Sequence, residues 1–164
     1  MSSDSTTNTT FSNDVQDSLL ELEDNSWWFI YRANVIIGLL DRFLSPKKLT
    51  LDIGGGNGYT SYIAQKRGYQ IGIIEPSFEA CKHAKARGID EINCGSVTRD
   101  SVLDESIEQA MLLDVLEHIK NDGEFIKLLN TKMTRGGYYS LQYLPLCVFG
   151  VAKMMQRVIL EDTG

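Results

Sequence analysis

Few residues in this chain could build a covalent or metal framework. It has three cysteines, Cys81, Cys94 and Cys147, in 164 residues. The number is odd and no C-x-x-C spacing occurs, which argues against a disulfide scaffold or a structural zinc site and leaves small, buried hydrophobes as the plain reading. The two histidines are His83 and His118. Long hydrophobic runs are missing: Leu144 to Ala152 is interrupted by Pro145 and Gly150 and is too short to span a bilayer. The first residues hold no basic region followed by an apolar stretch, so no secretory leader is expected. Positive charge is in short supply, with 16 Lys and Arg against 22 Asp and Glu, a net charge of −6. Phosphate-driven binding of nucleic acid needs the opposite sign. What remains is a cytoplasmic domain with no nucleic-acid or membrane partner, large enough to bury roughly 70% of its unfolded surface.

The informative stretch is Leu49-Thr-Leu-Asp52-Ile-Gly54-Gly55-Gly56-Asn57-Gly58. A short β-type run leads into a glycine loop, and a helical pattern follows. Asp52 and the glycines at 54, 56 and 58 make a D-x-G-x-G-x-G spacing. The dinucleotide fingerprint G-x-G-x-x-G/A differs, since its last small residue would fall on Tyr59. Such a turn needs positive φ, and a ligand lying on the backbone leaves no room for Cβ, so Gly56 and Gly58 are the expected contacts. A tight βα turn without a ligand is the competing reading. Gln70 to Ile74 then reads as a second buried strand ending at Glu75. In doubly wound sheets an acidic residue roughly 20 positions past the glycines accepts hydrogen bonds from ribose hydroxyls. The plainer role for Glu75 is a solvated carboxylate before a helix N-terminus.

The rest of the chain alternates strands and helices. Residues 1–12 form a polar tail that cannot bury surface. Residues 13–46 carry two helical patterns: Val15, Leu19 and Leu22, with Ser12 or Asn13 as cap, and then Trp28, Tyr31, Arg32, Val35, Leu39 and Phe43, stopped by Ser45-Pro46. An aromatic stripe at that spacing reads first as core. Within residues 47–142, helices are expected over Tyr59–Arg67 and Phe78–Arg87, each ended by a glycine, and a capping box at Asn121-x-x-Glu124 opens another. Strands are expected at Glu91–Cys94, from Gln109 toward Asp114, and from Tyr138 after a Gly136-Gly137 turn. This order predicts an α/β, Rossmann-like, doubly wound and mostly parallel sheet with helices on both faces.

In combination, the L-D-x-G-x-G-x-G loop, Glu75 and the Asp114-Val115-Leu116-Glu117-His118 segment resemble the class I S-adenosylmethionine-dependent methyltransferases. Trp27-Trp28-Phe29-Ile30-Tyr31-Arg32 is similar to the W-W-F-x-x-R segment of one branch of the small-molecule group. The resemblance covers about residues 25–142. It implies the strand order 3-2-1-4-5-7-6, S-adenosyl-L-methionine as cofactor, and methyl transfer to a small-molecule acceptor. Asp52, Gly54, Gly55, Gly56 and Gly58 would hold the methionine portion, and Glu75, followed by Pro76, the ribose. Gly95, Ser96 and Val97 would border adenine, and Asp114 and Val115 would flank the site. Members usually carry an acidic residue where this chain has Ser96, which weakens the expected grip on adenine. The aromatic helix would lie over the cofactor, with Trp27, Trp28 and Arg32 walling the substrate pocket. His118 is the candidate general base, since His83 falls on the outer part of its helix pattern. A structural histidine and a metal site made by Asp114, Glu117 and His118 are the alternatives; no metal is assigned. A nicotinamide-dependent oxidoreductase would share the fold, but Tyr59 and the D-x-L-E-H segment count against it.

Residues 143–164 depart from the family pattern, which continues with two more strands. Read two nucleotides out of frame, codons permitted for residues 142–164 spell V-P-A-x-x-x-L-W-S-S-K-D-D-A-x-G-H-F-R-R-Y. The family branch continues after strand five with a run like V-P-A-x-x-x-L-W-S-x-x-D-x-x-x-G-H-x-R-R-Y. Met154-Met155 permits only Asp in that frame, and Met155-Gln156 only Ala. The expectation is an out-of-frame tail, tested by sequencing the coding DNA. Without the last two strands, strand five would be an exposed edge and a route to self-association. An inactive remnant that binds cofactor weakly or not at all is then the alternative function.

Overall fold

The structure is a computed structural model, and it describes residues 26–142 and the backbone strand at 156–159. The expected helix through Val15, Leu19 and Leu22, the apolar run from Leu144 to Ala152 and Cys147 lie outside the described residues. One sheet organises the rest. Its strands are β1 (Leu49–Ile53), β2 (Gln70–Glu75), β3 (Glu91–Cys94), β4 (Ile107–Leu113), β5 (Met133–Gln142) and β6 (Gln156–Ile159). They lie in the order β3-β2-β1-β4-β5-β6. β1 to β5 pair in parallel and β6 pairs antiparallel with β5. The order reverses direction at β1 and β4, which is the switch point where doubly wound sheets bind ligands.

Strand alternation sends side chains to two cores. On one face Ile71 and Met111 meet Ile36, Ile37 and Leu40 of α1 (Trp27–Phe43) and Ala64 of α2 (Tyr59–Lys66). Ile73, on the same face, meets Ala84 of α3 (Phe78–Ala86). On the other face Ile53, Ile74, Ala110 and Leu112 pack with Leu129 of α4 (Asp122–Lys132) and with Leu116 of a 3-10 turn, Leu116–His118. Each large aliphatic side chain buried this way stabilises the fold by about 1.5–3 kcal/mol.

α1 corrects one sequence expectation. Its buried face is Ala33, Ile36, Ile37 and Leu40, whereas Trp28, Tyr31 and Val35 are exposed. Both stripes have helical spacing, so periodicity alone cannot choose between them. The aliphatic stripe fits the flat sheet face and leaves the aromatic one outward. Ser26 caps the helix, its Oγ accepting the Trp28 N–H at 3.3 Å. The turn after α1 is pinned by buried Gln109, whose Nε2 donates to Ser45 O at 3.0 Å and to Thr50 Oγ1 at 3.1 Å while its Oε1 accepts the Ser45 N–H at 2.7 Å.

The carboxyl side of the sheet holds three further corrections. β5 begins at Met133 rather than after Gly136-Gly137. Gly136, at φ +74°, sits in an irregularity where the β4 register shifts between Ile107 and Gln109, and a Cβ on Gly137 would come within 2.9 Å of Thr134 O. Asn121 precedes α4 but forms no side-chain cap; its Nδ2 reaches Glu124 Oε2 at 3.4 Å. β5 is also not a free edge, because β6 takes the place beside it that strand seven has in the family order, with Tyr138 opposite Ile159 and Leu141 opposite Gln156. Ladder bonds use backbone groups only, so this pairing is compatible with an atypical tail.

Candidate functional site

The site is built where β1 ends. Asp52 is 2% exposed on the α1–α2 face of the sheet. Its Oδ2 accepts the Ser61 hydroxyl of α2 at 2.6 Å, and its Oδ1 has no hydrogen-bond partner. Burial pushes the carboxyl up to about 7; the Ser61 bond and Arg32 pull it down, and Glu75 pushes it further up. Buried carboxylates retain charge only with a partner, so a cation placed at the open Oδ1 would favour the ionised form.

The four loop glycines serve different purposes. A Cβ on Gly54 would come within 2.6 Å of Val115 Cγ2, and one on Gly55 within 2.9 Å of Asp52 Oδ2. One on Gly58 would lie 3.1 Å from Ala84 Cα, so this glycine lets α3 approach the start of α2. Gly56 alone among them, at φ +54°, faces open space. Of the two expected ligand contacts, Gly56 presents bare backbone to a free volume, while helix packing already accounts for the missing side chain at Gly58.

Glu75, also buried, closes the loop from β2. Its Oε2 accepts the Gly56 N–H at 3.0 Å and its Oε1 the Ser77 N–H at 2.8 Å. Each carboxylate oxygen keeps a second lone pair for a ligand hydroxyl. Pro76 and Ser96 are exposed beside it, and the Gly95 N–H donates to Glu75 O at 3.0 Å. Val97, expected at the adenine border, is buried in the α4-side core.

β4 supplies the opposite wall. Asp114 follows the strand with φ +58°, an uncommon conformation for a non-glycine residue. Its carboxylate pairs with the Arg32 guanidinium of α1. Burial raises the Asp114 carboxyl above its ordinary value, and Arg32 opposes that rise. Arg32 Nε and Asp114 Oδ1 are both buried without partners. Three orphaned polar atoms, Arg32 Nε, Asp52 Oδ1 and Asp114 Oδ1, therefore belong to Arg32 and to the two aspartates whose carboxyls it acts on. That donor and acceptor set matches a zwitterion, with a carboxylate for the guanidinium and an ammonium for the two aspartates.

The remaining expected residues lie outside this cluster. Trp27 is 74% and Trp28 45% exposed, their rings edge to face at 6.0 Å. His118 is exposed at the end of the 3-10 turn. Among the described residues no group of three His, Cys, Asp or Glu could hold a metal ion, and no helix is long and apolar enough to cross a membrane. Sequence reasoning missed Ser61 and Arg87. Arg87 Nε donates to Asn57 O at 3.1 Å and its guanidinium lies 5.2 Å from the Tyr59 ring, bracing the loop from α3. A hydroxyl one turn into a helix after a glycine loop is the signal that could have found Ser61.

The comparisons converge. A family model described as a methyltransferase domain matches residues 51–141. The tRNA 5-carboxymethoxyuridine methyltransferase of Escherichia coli K12 is 29% identical over 116 residues, 63% of this chain. The chain spans 44% of that relative's length. A SAM-dependent methyltransferase structure from Thermotoga maritima superposes with a TM-score of 0.60 at 21% identity, covering 78% of this chain and 59% of its own. One from Aquifex aeolicus gives 0.64 at 14% identity, covering 87% and 79%.

Proposed function

The chain belongs to the methyltransferase-domain family, with the Rossmann-like fold of class I S-adenosylmethionine-dependent methyltransferases, and from that premise we propose that it binds S-adenosylmethionine and transfers its methyl group to a small-molecule acceptor. The observation that carries this reading is the orphaned trio of Arg32, Asp52 and Asp114, taken together with the open backbone of Gly56. Arg32 would take the cofactor's carboxylate, and Asp52 and Asp114 its ammonium. Arg32 thus moves from the expected substrate wall to the cofactor side. Glu75 would accept the ribose hydroxyls while still tying the loop through Gly56, and Ser96 would border adenine without charge.

The bound cofactor supplies a methyl group on a sulfonium, an electrophile that needs no further activation. The chain's own contribution is alignment and exclusion of water. Trp27 and Trp28, carried by the same helix as Arg32, would wall the acceptor. His118 would take the proton of a hydroxyl acceptor. The net charge of −6 favours a small molecule, although the Escherichia coli relative acts on tRNA.

Calorimetric titration with S-adenosylhomocysteine tests the reading. Binding by the wild type, weakened roughly 100-fold or more in Glu75→Ala through loss of charge-assisted bonds, is expected. No binding by a cooperatively melting wild-type chain would contradict it and favour an inactive remnant. Label from methyl-tritiated cofactor appearing in a tRNA fraction rather than in a small-molecule extract would replace the acceptor class.

A further inference from the structure

Two thiols meet at the backbone of Glu75. Cys81, buried on α3, donates its S–H to Glu75 O at 3.3 Å. Cys94, exposed at the end of β3, is the register partner of Glu75 across the β2–β3 ladder. Cys94 in turn acts on the Cys81 thiol, adding to the effect of burial in raising it. The next residue, Gly95, shares the same carbonyl, its N–H donating to Glu75 O at 3.0 Å. Cys94 is thus one residue from the proposed adenine border, and Cys81 bonds the backbone of Glu75, the proposed ribose-binding residue. Neither cysteine has a role in the site described above.

We propose that Cys94 and Cys81 form an oxidisable pair that a low-molecular-weight disulfide converts to an internal disulfide, and that this modification and cofactor binding oppose each other through Glu75. The antagonism rests on the functional reading above; the pair itself does not. The sequence suggested only inert, buried thiols, but Cys94 is open to solvent and Cys81 lies behind it.

The chemistry balances with oxidised glutathione as the oxidant. The Cys94 thiolate attacks one glutathione sulfur, forming a Cys94–glutathione disulfide as the glutathione disulfide breaks and one glutathione thiolate leaves. Cys81 sulfur then attacks Cys94 sulfur, the Cys94–glutathione bond breaks, and the Cys81 proton leaves with the second glutathione. Two protein thiols lose two electrons, and one disulfide becomes two thiols. Burial first, and the Cys94 contact second, push the Cys81 thiol up to about 12, so the second step is the slow one and Cys94 is the point of entry. Once the disulfide forms, Cys81 has no S–H to give Glu75 O, and α3 is tied to the end of β3.

The test uses the full chain with Cys147→Ser, so that only this pair reports. Treated with oxidised glutathione and digested without reduction, it should yield the Cys81 and Cys94 peptides joined, two hydrogens lighter than the sum of the thiols. S-adenosylhomocysteine affinity should fall at least tenfold and return on reduction with dithiothreitol. The additional change Cys94→Ser should abolish the response to oxidant. A stable glutathione adduct on Cys94 with no joined peptides would overturn the pair, and a disulfide that leaves affinity unchanged would overturn the antagonism. Failure of the reduced chain to bind would overturn the functional reading and the antagonism with it, while the peptide masses would still decide the pair.

Discussion

The glycine-loop wall at the end of β1 and the aromatic face of α1 are built on opposite terms. In the wall nearly every side chain is committed: Gly54 makes room for Val115, Gly58 for Ala84, and Glu75 holds Gly56 and Ser77. What is left open there is three polar atoms and one bare glycine backbone. On α1, Trp27, Trp28 and Tyr31 keep large apolar surfaces in solvent. On the proposed reading, a wall with its chemistry preset would read one ligand, and a loose aromatic face on the same helix as Arg32 would serve acceptors of different shape.

That contrast can be broken from either side. The largest effect is expected from Gly58→Val, which needs positive φ in a β-branched residue and drives a side chain into the α3 backbone. Thermal melts should show a loss of about 3 kcal/mol or more, whereas an equal substitution at an exposed site should cost little. An intact melt would mean that the loop is not set by helix packing.

The pH response of Asp52 sharpens the comparison. Its folded carboxyl, near 7, lies above the ordinary value of 3.8. The folded chain therefore holds the proton more tightly than the unfolded one between those values. Stability from this group is complete below pH 3.8 and is lost as pH rises through 7 in the ligand-free chain. A ligand ammonium needs the ionised form, so S-adenosylhomocysteine affinity should move the other way and be roughly tenfold stronger at pH 8 than at pH 6. Asp52→Asn should flatten both curves. Calorimetry and melts across the range would check this, and an affinity independent of pH would place the ammonium elsewhere.

The smallest effect belongs to the aromatic face. Trp27→Ala should change stability by no more than about 0.5 kcal/mol and leave S-adenosylhomocysteine affinity unchanged, because this side chain is exposed and outside the wall. Its cost should appear only in kcat/KM for the acceptor.

The legible part of this molecule was the part whose chemistry is local. The glycine spacing, the acidic end of β2 and the alternation of strands and helices lie within short windows, and they fixed the sheet from β3 to β5. Features that depend on distant partners were not legible. The helical period allowed either stripe of α1 to be buried. Ser61 reads as an ordinary helix residue until the fold brings it against Asp52. Lys132 reads as a cation ending a helix, yet it is buried, with Nζ donating to Arg99 O at 2.6 Å and Asp104 Oδ1 at 2.7 Å. Gly136-Gly137 looks like a turn because a strand irregularity and a turn both recruit glycine. Pairing of β6 with β5 was hidden because backbone ladders leave little trace in side-chain pattern.

The central claim is that Arg32, Asp52 and Asp114 read the amino-acid end of the cofactor. The most direct measurement compares S-adenosylhomocysteine with 5′-methylthioadenosine, which keeps the nucleoside and thioether but lacks that end, in wild type, Arg32→Met and Asp52→Asn. The account predicts that wild type prefers S-adenosylhomocysteine by about 100-fold, as two charge-assisted contacts require, and that each variant loses most of that preference while keeping its affinity for 5′-methylthioadenosine. Equal affinities in wild type, or a preference undiminished in both variants, would contradict it.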